Sequence, residues 1–401
     1  MPQQHSKYEG LRILQIIGSL DPASGGPAES VRRIVSNYAP LGNTGEVVTL
    51  DDPASPFLKD MDITVHALGP HKLKYGYTPL LAPWLKKNAD RFDGVVIHGL
   101  WQYHGKIAMK FFAGKKPYAV LTHGMLDPWF KRNYPLKHLK KWIYWLLVEY
   151  WVLRRAHRVL FTTAAEAQLA EQSFWLHKWN GKVIPYGAQL PEGDPEPMKN
   201  AFNKAFPELK DKRFLLFLGR IHPKKGCDML LNAFAKVAEK DPDLNLMIAG
   251  PDSAGWRDEL VARAKKLEIE ERVFWPGMLT GDVKWGAFYN CEAFVLPSHQ
   301  ENFGIAVAEA LACGKPVLIA DKVNICDAIL EDNVGLVEPD TAEGTEHLLT
   351  RWLAMDATER AEMGKRAKAC FKKRFDMREN ARQIVQMFAE VAASGRNSVK
   401  A

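Results

Sequence analysis

Cysteine is scarce in this chain: five in 401 residues, at 227, 291, 313, 326 and 370, widely spaced and with no Cys-x-x-Cys pair. An odd, scattered set excludes a disulfide scaffold and a zinc module, and fits a reducing compartment. Long apolar runs are missing too. The longest, Trp142 to Leu153, is twelve residues broken by Glu149, whereas a bilayer-spanning helix takes about 20. The opening MPQQHSKYEG has no apolar stretch of the kind a secretory leader needs. Against these absences stand 47% hydrophobic, 25% charged and 10% aromatic residues. That is enough to bury a sizeable core, which excludes wholesale disorder and fibrous classes. At roughly 150 residues per domain, the expectation is a soluble cytoplasmic protein of two domains.

The net charge of +7 is unevenly spread. Residues 1–190 carry 24 Lys+Arg against 14 Asp+Glu, and residues 191–401 carry 30 against 33. The first half therefore faces something anionic. Much of its excess lies in Trp129 to Arg158, where eight basic residues meet one Glu among eight aromatics. A helix from Trp142 to Leu153 that is apolar nearly all round implies burial with solvated ends. The sharper reading is an anionic acceptor, such as a lipid-linked diphosphate sugar, at an anionic membrane surface that Trp129, Phe130 and Tyr134 with Lys131 and Arg132 would suit. No nucleic-acid reader motif accompanies the charge.

Short apolar strands alternate with helical stretches along the chain. They read at Arg12–Ile17, Gly45–Leu50, Ile63–Leu68, Val95–His98, Tyr118–Thr122, Arg158–Thr162 and Lys182–Ile184. After a proline-rich linker from Leu190 to Asp211 the pattern restarts at Phe214–Leu218, Leu244–Ala249, Arg272–Trp275, Ala293–Leu296, Val317–Ala320 and Gly335–Val337. Such alternation predicts two Rossmann-like α/β domains in tandem, with parallel sheets covered on both faces. Ligands are then expected at the carboxyl ends of strands, in a cleft between the domains.

Two stretches at such ends carry chemistry. Gly219-Arg220-Ile221-His222-Pro223-Lys224-Lys225-Gly226 follows a strand and precedes a helix, so Arg220 and Lys225 beside free helix amides make a candidate diphosphate clamp. In Ser298-His299-Gln300-Glu301-Asn302-Phe303-Gly304-Ile305-Ala306-Val307-Ala308-Glu309, a helix is expected to begin at Phe303. Glu309 then falls in an apolar run and needs a polar partner, either a ligand or another protein group. Asp60-Met61-Asp62 and Asp241-Pro242-Asp243 precede strands, at the wrong end for a cleft metal, so no metal is assigned.

Gly219-Arg220 with Lys225-Gly226, followed by Glu301 and Glu309 within ENFGIAVAEALACGKPV, resembles the retaining glycosyltransferases of family 4, which have the GT-B fold. Gly25-Gly26-Pro27, His123 and Val183-Ile184-Pro185-Tyr186-Gly187 extend the resemblance along nearly the whole chain, while Asn302 and Tyr186 depart from the commoner Gly and Asn. The resemblance implies two Rossmann-like parallel-sheet domains facing a cleft. An acceptor-side domain would span 1–190, a nucleotide-sugar donor domain 191–376, and a last helix, 377–393, would pack back on the first. Arg220 and Lys225 would hold the donor diphosphate, Glu309 the ribose, and Glu301 the sugar hydroxyls. Gly25, Gly26, Asn302, Phe303 and Gly304 would line the donor, and His123 would touch the sugar near the reacting carbon. His98 also ends a strand, but His123 is followed by GMLDPWF in the family's order. The expected activity is retaining, metal-independent transfer of a hexose-like sugar from a nucleoside diphosphate to a hydroxyl of a glycan or lipid-linked glycan, in polysaccharide or glycolipid biosynthesis. No cofactor is expected. The location implied is the cytoplasm, peripheral on the inner face of the cytoplasmic membrane. An epimerase or phosphorylase of the same fold, or a non-catalytic nucleotide-sugar-binding scaffold, are the alternatives.

Overall fold

The computed structural model describes residues 9–22, 26–59, 61–129, 131, 135–188, 190–191, 193–252 and 254–398. The chain forms two compact units, Met1–Gly187 with Met377–Ala401, and Ala188–Asp376.

The first unit holds a parallel sheet of β1 (Arg12–Ile17), β2 (Thr44–Thr49), β3 (Thr64–Ala67), β4 (Gly94–His98), β5 (Tyr118–Leu121), β6 (Arg158–Phe161) and β7 (Gly181–Val183). Their order is β3-β2-β1-β4-β5-β6-β7, and every pairing is parallel. β4 and β5 are buried along their whole length, because helices cover both faces of a parallel sheet and its strands need no polar side. The helix Gly26–Ser36 buries Ala28, Val31, Ile34 and Val35, and the closing helix Met377–Ser398 packs against it. Asn380 Nδ2 ties that closing helix to the Pro185 carbonyl at 2.6 Å. Its Phe388 is buried so close beneath Gly94 that a Cβ there would come within 2.5 Å of the ring.

The second unit repeats the design with β8 (Arg213–Leu218), β9 (Leu244–Ala249), β10 (Val273–Gly277), β11 (Ala293–Leu296), β12 (Val317–Ala320) and β13 (Gly335–Glu338). They are again all parallel, in the order β10-β9-β8-β11-β12-β13. The two Rossmann-like parallel sheets are thus those that the alternating pattern predicts. In each, chain order reverses beside the first strand, between β1 and β4 and between β8 and β11. Loops diverge there at the carboxyl ends, and open α/β sheets bind ligands at such points.

Three expectations need correction. The stretch 190–211 is not a bare linker: the helix Pro195–Ala205 forms within it, with Asp194 accepting from the Glu196 amide at 3.1 Å as its N-cap and Pro195 in the first turn. That helix is held by burial of Met198 and Phe202, the latter stacked on Phe214 at 5.5 Å. The helix after β11 begins at Ile305, because Phe303 is buried in the preceding loop against Phe375 and Gly304 takes a left-handed conformation. Finally, the aromatic helix around Trp142–Leu153 is not buried all round. It runs Pro135–Tyr144, then a π-turn at Trp145–Glu149, then Tyr150–Arg154. Trp145, Val148, Val152 and Leu153 face inward while Leu136, Leu139, Ile143 and Leu147 stand exposed.

Candidate functional site

In the second unit three loops are stitched together at the ends of β8, β11 and β12. The Lys224 carbonyl accepts from Ser298 Oγ and from the His299 amide, each at 3.0 Å. Glu301 exchanges backbone hydrogen bonds with Lys322 and Asn324, both 3.0 Å. Gly226 makes the first junction possible. Its φ is 69°, and a Cβ there would lie 2.2 Å from the Pro297 carbonyl oxygen.

The charged groups fall at this junction. Arg220 leaves the end of β8 and is exposed. Lys225 Nζ donates to Glu301 Oε2 in a half-buried ion pair. Burial pushes the Glu301 carboxyl up, but the Lys225 ammonium outweighs it, helped by Lys224 and the Asn302 amide, and holds the group below the usual value. Glu309, buried on the helix Ile305–Ala312, accepts from Lys284 Nζ at 2.6 Å. Lys284 is the protein partner that an apolar stretch around Glu309 calls for. Lys225 with Glu301 and Lys284 with Glu309 thus neutralise each other pairwise, and Arg220 is in neither pair. The two Asp-x-Asp triplets do other work: Asp241 bonds Arg213 at 2.8 Å, and Asp62 bonds Ser36 at 3.2 Å. Asp60 lies outside the described residues.

At the matching point of the first unit, side chains form a continuous string. Gln15 Nε2 donates to the Tyr38 hydroxyl at 2.7 Å, and Gln15 Oε1 lies 2.6 Å from His98 Nε2. His98 Nδ1 is 3.0 Å from His123 Nε2, and His123 Nδ1 meets the Tyr186 hydroxyl. An amide oxygen only accepts, so His98 carries its proton on Nε2, His123 donates from its own Nε2, and Tyr186 donates to His123 Nδ1. That order of donors holds for two neutral rings, the state that burial favours. Burial pushes His123 down to about 3, while burial with His123 and His104 nearby holds His98 well below its ordinary value. His123 sits at φ 52°. With both ring nitrogens engaged, its ring carbons and backbone are what a substrate could meet. Beneath it, buried Glu166 accepts from the Gly124 amide at 2.7 Å and from Thr122 and Thr162. Gly26 opens its helix half-buried, and Gly25 lies outside the described residues.

Two family models match this chain, one for a glycosyl transferase 4-like domain over residues 25–187 and one for glycosyl transferases group 1 over 198–393. The chain belongs to the group 1 glycosyltransferases. This glycosyltransferase is 32% identical over 194 residues to a D-inositol 3-phosphate glycosyltransferase of Actinosynnema mirum, covering 46% of each chain. It spans about half the length of the curated relatives it matches. Among solved structures it is similar to sucrose-phosphate synthase from Thermosynechococcus elongatus (TM-score 0.76, 19% identity, 96% of this chain and 100% of the other). It is also similar to Anabaena HepE in complex with UDP and glucose (TM-score 0.75, 20% identity, 95% and 100%). These likenesses establish the GT-B fold.

The glycosyltransferase also has residues in these networks that sequence reading passed over. Lys284 is 25 positions from Glu309 on another helix, and Gln15 and Tyr38 lie far from His98 in sequence. Glu166 had a local signal, a carboxylate three residues after Thr163, whose hydroxyl caps the helix Ala164–Ala170 by accepting the Glu166 amide at 2.9 Å.

Proposed function

We propose that this glycosyltransferase moves a hexose-like sugar from a nucleoside diphosphate donor to a hydroxyl of a glycan or lipid-linked glycan, with retention and without a metal. The observation that carries the reading is the junction at the ends of β8 and β11, where Arg220, Lys225 and Glu301 collect in loops that lead into helices, with Glu309 on the helix that follows. Arg220 and Lys225 would take the diphosphate, the Lys225 ammonium turning from Glu301 toward the anion. That movement would release Glu301 for sugar hydroxyls. Glu309, its charge balanced by Lys284, would accept from the ribose, and the backbone around Asn302, Phe303 and Gly304 would approach the sugar. The second unit would thus be the donor domain and the first the acceptor side. Catalysis would rest on positioning and on stabilising charge as it builds on the leaving diphosphate. The five cysteines, each unpaired, suit a cytoplasmic setting on the inner face of the cytoplasmic membrane.

The test is a thermal-shift screen against UDP-, GDP-, ADP- and CMP-sugars, since a bound donor raises the melting temperature. It is followed by acceptor-dependent release of the nucleoside diphosphate with the sugar that scored. Stabilisation with acceptor-dependent turnover supports the reading. Product formed from donor alone points to an epimerase, and binding without turnover to a scaffold.

A further inference from the structure

The helix Pro135–Arg154 presents a face that none of the described residues covers. Leu136, Leu139, Ile143, Leu147 and Trp151 recur every three or four residues and are 77%, 65%, 67%, 72% and 44% exposed, with Leu146 beside them. Trp175, at 78% the most exposed tryptophan, extends the patch through Trp142, whose ring centroid lies 5.6 Å away. Buried residues of the same helix, Trp145, Val148, Val152 and Leu153, anchor the opposite side in the core of the first unit. The apolar face is therefore held outward by packing and does not result from a loose segment.

A contiguous patch of this size on a folded surface marks an interaction site. The charges decide which kind. Between residues 131 and 158 the only acid is Glu149, and it is buried. Lys137 and Lys140 are exposed along the first half of the helix, Lys131 ahead of it, and Arg154 and Arg155 at its end. All exposed charge on the helix itself is thus positive, and the nearest exposed acid in sequence to Trp175 is Glu171. An apolar stripe flanked by cations, on a helix that carries too many charges to cross a bilayer, has the form of an element lying in the headgroup layer. We infer that this helix docks the protein on an anionic bilayer, with Leu136, Leu139, Ile143, Leu147 and Trp175 entering the acyl boundary. The surface differs from the one that the aromatic sequence suggests: Trp129 is half-buried, and Phe130, Arg132 and Tyr134 lie outside the described residues.

The inference needs only the surface, so it stands or falls independently of donor and acceptor. Full-length protein is mixed with vesicles of phosphatidylglycerol and phosphatidylcholine, or of phosphatidylcholine alone, and sedimented. Binding is expected to the anionic vesicles and to weaken in salt. Lys137→Gln with Lys140→Gln should lower partitioning about 30-fold, from about fivefold per lysine. Leu139→Gln, Ile143→Gln and Leu147→Gln together should lower it roughly 100-fold or more. These side chains are exposed, so the melting temperature should stay near that of the parent, which light scattering should show to be monomeric without lipid. Absent vesicle binding, or binding unchanged by the apolar triple variant, overturns the inference. A parent dimer that the triple variant dissociates does so as well, because a second copy would then cover the stripe.

Discussion

Arg220 and Lys225 have different neighbours, and their substitutions should differ accordingly. Arg220 is exposed and outside the ion pairs of its loop, so Arg220→Ala should leave the melting temperature nearly unchanged. Activity should suffer: a charge-assisted hydrogen bond contributes about 1.5–3 kcal/mol, so kcat/KM should fall roughly ten- to 150-fold. Lys225→Ala should produce a similar loss and also free Glu301, lowering stability with it. Steady-state kinetics with the donor found by screening, beside melting curves, separates the two. Glu309→Gln should mainly raise the donor KM. Removing one charge of the Glu309–Lys284 pair also leaves the other uncompensated, so a moderate fall in melting temperature should accompany it. Arg220 and Lys225 stand out in the sequence because they flank a strand end and a glycine turn, and Glu309 because it is a carboxylate inside an apolar run. Lys284, Gln15 and Tyr38 do not, because their partners are set by which strands and helices become neighbours.

Elements with buried titratable groups give the first unit a defined pH response. His104 is pushed down to about 4 and His123 to about 3 by burial, with His98 also far below its usual value. Below about pH 6.5 the unfolded chain takes up protons that the folded chain refuses. Stability should therefore fall as pH drops from about 6.5 toward 4, by up to about 1.4 kcal/mol per pH unit for each histidine. Glu149 on the π-turn acts in the opposite sense. Burial raises it to about 8, against the Trp101 amide and Lys141, so the stability its protonation confers is complete below about 4.5 and is lost as pH rises through 8. Urea unfolding between pH 4 and 9 should show an acid limb, and Glu149→Gln should flatten the alkaline limb alone. Composition does not reveal this helix's exposed side. Twelve residues that look apolar all round suggest burial, but only tertiary packing selects which face goes inward. The strand positions were easier to read, since β-branched and aromatic runs between turns have few other folded solutions, whereas the helix Pro195–Ala205 was hidden by a proline-rich stretch that reads as a break.

At the scale of the molecule, the proposed chemistry should run without a divalent cation. Arg220, Lys225 and helix amides would already supply the counter-charge to a diphosphate. Turnover should persist in EDTA. Loss of activity that Mg²⁺ or Mn²⁺ restores would require a site at carboxylates assigned here to other partners. The two-sheet architecture follows from alternation of strand and helix, but the return of the last helix to the first unit does not. That return depends on a hole beside Gly94 filled by a side chain nearly three hundred residues later.

The return has a temporal side. During synthesis, domains ordinarily fold in the order in which they emerge, at about 5–20 residues per second. Here the last piece of the first unit, Met377–Ser398, leaves the ribosome only after all of Ala188–Asp376 has appeared. The first unit therefore waits for roughly 10 to 40 seconds while the second is made, with the seat of Phe388 open. Chains released at residue 376 should keep a protease-resistant second unit and a first unit that is cleaved readily. Adding the missing helix as a separate peptide should restore that resistance. A nascent chain in this interval would be the form most exposed to chaperones and to aggregation.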